Sequence, residues 1–193
     1  KAFSPEQLQE FYETILERGE ALSRIIEDLL DLSHMESGRS IVLDKQPHII
    51  EETVHHIVNQ YQREAPDRQF EMRFNEQKSE LIMDRGRMIQ VLENLIGNAV
   101  KYTHKGGTII LEGWKEPDCY RINVIDDGMG MTSEQVSRIF EKFYRANPQL
   151  ASVSGLGMGM SIVRNIIDAH NGQIEIESEI DQGTKVSIQL PLT

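Results

Sequence analysis

The chain reads as an α+β protein, a two-layer sandwich in which helices gather on one face of a mixed, largely antiparallel sheet, preceded by one long helix. Three patterns point there. Residues 4–36 carry apolar side chains at alternating three- and four-residue spacing, the period of a helix. The stretch "RGRMIQVLENLIGNAVKY" repeats that period with Met88, Val91, Leu92, Leu95, Ile96, Ala99 and Val100. Two pairs of alternating runs, "GTIILEGW" with "CYRINVID" and "QIEIES" with "TKVSIQL", read as strands joined at Pro117-Asp118 and at Asp181-Gln182-Gly183.

Composition narrows the function. With 193 residues and 39% hydrophobic content, the chain can bury the core of one ordinary domain plus a smaller element. A net charge of -11 without a basic patch argues against a nucleic-acid surface. The single cysteine, Cys119, has no internal disulfide partner, and a reducing compartment is the simpler reading. No apolar run reaches membrane-spanning length and no signal peptide opens the chain. It starts at Lys1 and not at Met, so a fragment is expected, with any membrane anchor or sensor upstream.

The first helix begins with Ser4 as N-cap and Pro5 at the first helical position, and is expected to run to about Met35 or Glu36. Leu8, Phe11, Ile15, Arg18, Leu22, Ile25, Leu29 and Leu32 form a heptad seam, and Ile26 and Leu30 widen it beyond a two-stranded contact. No second helix of that length follows, so the partner comes from another chain or from upstream sequence, and self-association is expected. The alternative is a helix folded back on the following domain. The break at Ser37-Gly38 divides the chain into 1–38 and 39–193. A short strand near Ile41 to Leu43, a helix from about His48 to Tyr61, and strands near Phe70 to Phe74 and Leu81 to Met83 precede the second long helix. The last helix is placed near Ser161 to Ala169.

Chemistry is suggested at four places. Asn94, Asn98 and Lys101 recur at four and three on one helix, where an amide oxygen could complete the shell of a phosphate-bound Mg²⁺ and the lysine could meet phosphate. A solvated polar face explains them equally well. In "INVIDDGMGM", Asp126 at a strand end is followed by Gly128 and Gly130, which let a flat ligand approach while the carboxylate accepts from an amino group. A tight turn capped by Asp127 is the alternative. "RIFEKFYR" places Phe140, Phe143 and Tyr144 beside Lys142 and Arg145, as a core edge would. "SGLGMGMS" sets Gly155, Gly157 and Gly159 before a helix, either to cradle an anion or to form a loose, close-packing turn.

The order of these motifs, closed by Gly183-Thr184, resembles the ATP-binding catalytic domain of bacterial sensor histidine kinases over roughly residues 47–192. "LSRIIEDLLDLSHMESGR" is similar to the second helix of that family's dimerisation and phosphotransfer hairpin. The resemblance implies the histidine-kinase-type ATPase fold with ATP and Mg²⁺ as cofactors. It implies that Asn98 coordinates Mg²⁺ with Asn94 alongside, that Lys101 reaches phosphate, and that Asn98 and Lys101 are the catalytic pair. Tyr102 borders the nucleotide, Asp126 reads the adenine amino group beside Gly128 and Gly130, Arg145 adds a phosphate contact, and Thr184 closes the pocket. Gly155, Gly157 and Gly159 shape the end of a lid and the helix N-terminus under the phosphates, with Phe140 and Phe143 anchoring that lid by packing. The implied reaction passes the ATP γ-phosphoryl group to a histidine and then to an aspartate of a response-regulator receiver domain. The implied setting is a cytoplasmic region that dimerises through its helical hairpin, with no nucleic acid and with membrane attachment only through upstream segments.

Departures are informative. Met129, Met131, Met158 and Met160 replace branched aliphatics, with little effect expected. Asp127 adds a charge near the adenine end. His34, His48, His55, His56, His104 and His170 all lack the acidic neighbour of the family's acceptor histidine, so the acceptor is absent from this chain. His55 and His56 are expected to be structural, with one ring facing inward. The competing readings are a module that binds ATP or docks a regulator without kinase activity, and a serine-directed kinase of the same superfamily.

Overall fold

The computed structural model describes residues 3–4, 7–9, 11–12, 14–16, 19, 22–23, 26, 29–30, 41–74, 78–146 and 157–192. The chain divides into two compact units, Lys1–Ser40 and Ile41–Thr193. In the first, every described residue between 7 and 30 is helical. Ser4 caps this helix as expected: Gln7 N–H donates to Ser4 Oγ at 3.3 Å, and Ser4 N–H donates to Gln7 Oε1 at 3.0 Å. Leu8, Phe11, Ile15, Leu22, Ile26, Leu29 and Leu30 of the apolar stripe are exposed. The expected helix end and the break at Ser37-Gly38 lie outside the described residues.

The second unit runs β1 (Gln46–Ile49), α1 (Ile50–Glu64), β2 (Gln69–Phe74), β3 (Glu80–Met83), α2 (Arg85–Tyr102), β4 (Thr108–Lys115), β5 (Cys119–Asp126), α3 (Ser133–Arg138), α4 (Gly159–Ala169), β6 (Gln173–Glu179) and β7 (Gly183–Pro191). Five strands make one sheet in the order β2-β4-β5-β7-β6, and β1 and β3 make a separate two-stranded ribbon. Only β2 and β4 pair in parallel within the larger sheet, which is therefore mixed and largely antiparallel.

The core follows the two periodicities. Strand residues Ile109, Leu111, Tyr120, Ile122, Val124, Ile188 and Leu190 alternate onto one sheet face and are buried. Val54, Ile57 and Val58 of α1, Met88, Leu92 and Leu95 of α2, and Ile162, Ile166 and Ile167 of α4 are buried on the helical side. One carboxylate enters this core and is fully engaged. Glu51 accepts from the Tyr120 hydroxyl at 2.9 Å and from Ser79 N–H at 3.0 and 3.1 Å. Burial, reinforced by that carboxylate, holds the Tyr120 hydroxyl well above the usual tyrosine range.

Two boundaries differ from the sequence reading. No strand forms at residues 41–43, where Val42 is 92% exposed. The strand lies at Gln46–Ile49 because β3 is there to pair with it, His48 opposite Leu81, and backbone groups need such a partner. The helix consequently starts at Ile50, with its N–H on the Ser79 carbonyl at 3.2 Å. The short helix α3 has no counterpart in the sequence reading.

His170, buried after α4, ties that helix to the start of α2. Its Nδ1 faces the Ile166 carbonyl at 2.8 Å and must carry the proton, while Nε2 accepts from Asp84 N–H at 3.1 Å. The neutral ring is thus fixed in one tautomer. Burial pushes its pKa below the usual histidine range, against the pull of the Ile166 carbonyl and of Asp84 and with help from Lys45. An unfolded histidine takes up a proton first as pH falls below about 6.5, so this contribution is full above that pH and is lost on acidification. His170→Ala is expected to cost about 1–3 kcal/mol at neutral pH, because the Asp84 N–H loses its acceptor, while the Ile166 carbonyl keeps the His170 backbone N–H at 3.1 Å. Thermal unfolding against pH checks this: the deficit of the variant shrinks as the wild type loses its own contribution, and a deficit constant down to acid pH would contradict the assignment.

Candidate functional site

One face of α2 presents Leu95, Asn98, Ala99 and Tyr102, at i, i+3, i+4 and i+7, to a cavity of about 310 Å³. Val124 and Asp126 of β5, Ile176 of β6 and Thr184 and Val186 of β7 form the sheet wall. Met129, Gly130, Met131, Gln135, Ile139, Ala146, Met160, Ile180 and Asp181 complete it, so the cavity is largely apolar with a few converging polar groups.

Asp126 is the group most altered by this setting. Burial pushes its carboxyl up to about 6, against the Gly128 and Thr184 N–H groups that favour its charged form. Gly128 N–H donates to Asp126 Oδ1 at 2.9 Å. The turn after Asp126 is held from both sides, with Met129 N–H on the Tyr102 carbonyl at 3.2 Å and Asp181 N–H on the Met129 carbonyl at 2.9 Å. Gly130 and Gly183, at φ 62° and 90°, make this fit possible. A Cβ on Gly130 would collide with the Glu179 carbonyl, and one on Gly183 with the carbonyl of Asp126 itself. Asp127 turns to β4, accepting from Thr108 N–H at 2.9 and 3.0 Å, and it reaches the site only as a nearby charge that further raises Asp126.

The other sequence-derived candidates fall into two groups. Asn98, Tyr102, Asp126, Gly130 and Thr184 line the cavity together. Asn94, Lys101, Gly128, Arg145, Gly157 and Gly159 are not among its lining residues, and Gly155 lies outside the described residues. Asn94 is not a solvated surface amide: its Nδ2 donates to the Gln90 carbonyl at 2.9 Å, and its side chain fills the space a Cβ on Gly159 would take. Gly157, at φ 73°, packs on the backbone of Phe143 and Tyr144. Lys101 Nζ sits 4.8 Å from the Tyr102 ring centre.

Several expectations change. Phe140 does pack, with the Arg164 guanidinium 4.5 Å from its ring, but Phe143 has φ 63° and is 58% exposed. Tyr144 takes the packing role instead, under Arg138 at 4.4 Å. Met158 is a core residue, whereas Met129, Met131 and Met160 line the cavity. His55 and His56 are both exposed, because Val54, Ile57 and Val58 take the buried side of α1. Gln135, Ala146 and Asp181 were not anticipated. For Gln135 the signal existed: Thr132 and Gln135 form a capping box, a Thr-x-x-Gln pattern visible in the sequence.

Among the described residues no group of three or more His, Cys, Asp or Glu could hold a metal. Asn98 offers one neutral oxygen to the cavity, which fits a hard cation that arrives with most of its oxygen ligands already supplied.

Residues 83–193 match the family described as Histidine kinase-, DNA gyrase B-, and HSP90-like ATPase. The chain belongs to this ATPase family. Within it, this ATPase domain is the ATP-binding catalytic region of a sensor histidine kinase. Drug sensory protein A of Synechocystis sp. is 33% identical over 195 residues, covering 91% of this chain and 28% of the relative. The circadian input-output histidine kinase CikA of Synechococcus elongatus is 30% identical over 197 residues, covering 98% of this chain and 26% of the relative. The crystal structure of full-length ShkA in complex with AMPPNP superposes with a TM-score of 0.80 at 25% identity, covering all of this chain and 40% of that one. The ATPase chain thus spans less than a third of the length of those two curated relatives. Among the described residues no helix is long and apolar enough to cross a membrane.

Proposed function

We propose that the cavity between α2 and the β5–β7 end of the sheet binds ATP with Mg²⁺, and that the intact protein transfers the γ-phosphoryl group to a histidine on another segment. The observation that carries this reading is the placement of Asp126: a carboxylate kept partly out of water, in the wall of a largely apolar cavity, where it could accept from the adenine amino group. Tyr102 and Thr184 border the base. At the other end Asn98 holds Mg²⁺ with Asn94 beside it, and Lys101 and Arg145 meet phosphate. Gly157 and Gly159 would let the chain pass close to the triphosphate. Mg²⁺ supplies charge neutralisation on the phosphate oxygens. The protein's own contribution is positioning and fixed positive charge around the triphosphate, which is most of what phosphoryl transfer requires. ShkA, which shares the fold, was crystallised with AMPPNP. The phosphoryl group then passes to an aspartate of a response-regulator receiver domain. The exposed apolar stripe of the first unit supports a homodimer formed through the helical hairpin, with any membrane attachment upstream and this region cytoplasmic.

Calorimetric titration of ATP with and without Mg²⁺, beside Asn98→Ala, tests the site. Binding is expected to tighten with Mg²⁺ in the wild type and to lose about tenfold of that gain in the variant. Adding a separate segment that carries the acceptor histidine is then expected to yield acid-labile phosphate on that segment. ATP binding without any transfer would favour a binding module, and no ATP binding would remove the proposal.

A further inference from the structure

We propose that Gln135 is a positioning residue of the nucleotide site, holding the 144–146 stretch so that Arg145 can reach the phosphates. The inference rests on the reading of the cavity as an ATP site and extends it to a residue that reading does not use.

Both ends of the Gln135 carboxamide are engaged. Its Oε1 accepts from Thr132 N–H at 2.8 Å, and its Nε2 donates to the Ala146 carbonyl at 2.8 Å. A capping box needs only the first of these, which glutamate supplies equally well. The second serves no need of α3. It crosses eleven positions to the carbonyl of the peptide that follows Arg145 by one residue. Gln135 and Ala146 also form part of the same cavity wall. The wall at this point is built from a six-residue helix that leans on β6 and an irregular stretch that joins no strand. Before Arg145 the stretch is tied by Tyr144 N–H on the Glu141 carbonyl at 3.3 Å, by Gly157 against the Phe143 and Tyr144 backbone, and by the Tyr144 ring under Arg138; the Gln135 bond adds a tie just after it. The carboxamide bond reaches the backbone itself and so fixes where the chain carries Arg145.

Gln135→Glu separates the two roles. The carboxylate keeps the bond from Thr132 N–H but cannot donate to Ala146, and it opposes that carbonyl with charge. Thr132→Ala is the converse control, since it removes the hydroxyl that accepts from Gln135 N–H at 3.2 Å and leaves the carboxamide in place. Titrations of ATP and of adenosine, with thermal unfolding of each variant, read the difference. The expected result is a roughly two- to tenfold loss of ATP affinity in Gln135→Glu, with adenosine affinity unchanged and the melting temperature lowered no more than in Thr132→Ala. Thr132→Ala is expected to melt lower and bind ATP normally. Unchanged ATP affinity in Gln135→Glu overturns the proposal, as does an equal loss for adenosine, which would make Gln135 a wall residue only. ATP affinity that falls in step with melting temperature in both variants reduces Gln135 to a helix cap. Failure of the wild type to bind ATP would count instead against the nucleotide site itself.

Discussion

Asp126→Asn is expected to weaken ATP binding by about ten- to a hundredfold, and at the same time to raise the melting temperature of the ligand-free domain. The first effect follows from exchanging a charged acceptor for an amide, worth roughly 1.5–3 kcal/mol. The second follows from the sign of the pKa change. An aspartate ordinarily titrates near 3.9, and burial places this one at about 6. The folded state therefore binds a proton more readily than the unfolded chain. Asp126 contributes stability below the ordinary aspartate pKa, and that contribution is gone once pH has risen through about 6. At neutral pH the ionised carboxylate is a burden on the fold of order 1–3 kcal/mol, which asparagine removes. Adenosine, which has no phosphate to titrate, is the probe for the pH profile. Its affinity is expected to decline as pH falls through about 6 in the wild type and to stay flat in Asp126→Asn. A variant that both melts lower and binds normally would assign the carboxylate to structure and not to the base.

Gly183→Ala is expected to be a severely damaging single-methyl addition. Its φ of 90° lies where an L side chain costs about 1–2 kcal/mol, and its Cβ would overlap the Asp126 carbonyl, adding about 1–3 kcal/mol of overpacking. The combined loss of about 2–5 kcal/mol is a large share of a typical domain's stability. It falls on the register that pairs Asp126 with Thr184, so ATP binding is expected to disappear with it. Gly106→Ala provides the comparison, since it shares a positive φ of 83° but meets nothing within 4 Å. That variant is expected to lose only the conformational part, about 1–2 kcal/mol, and to bind ATP normally. Denaturant unfolding of the two proteins measures the difference. Equal losses would show that the turn around Asp126 can relax.

The long helix α2 was legible in the sequence because its apolar period persists over several turns, and β4 to β7 were legible because a sheet covered on one face largely alternates, although Asn123 is buried between Ile122 and Val124 of β5. The candidate site was legible through the order of motifs. Each motif alone had an ordinary explanation, and in the turn after Asp126 the capping carboxylate is that of Asp126 on Gly128 N–H, while Asp127 is spent on Thr108 of β4. What escaped depends on partners distant in sequence. The β1 strand shifted from 41–43 to Gln46–Ile49 because its register is set by β3, more than thirty positions later. Helix α3 is too short for periodicity to register, although its capping box was there to see. Phe143 reads as a core aromatic until its left-handed backbone turns it outward. The buried role of His170 depends on Asp84, from an element far upstream, and nothing local announces it.

The strand order β2-β4-β5-β7-β6 has a consequence for how the chain is built. The last strand in sequence is not at an edge; it lies between β5 and β6. Until β7 is in place, β5 has an open ladder along its whole length and β6 has nothing to join. During vectorial synthesis, the N-terminal strands and α2 can assemble while that open edge waits, exposed to pairing with other chains. The cavity proposed for ATP takes its walls from both sides of the gap, so a nascent chain acquires it only when β7 closes the sheet. Occupancy of the cavity is therefore a report that folding is complete, and nucleotide bound there favours the closed sheet over every partly assembled form.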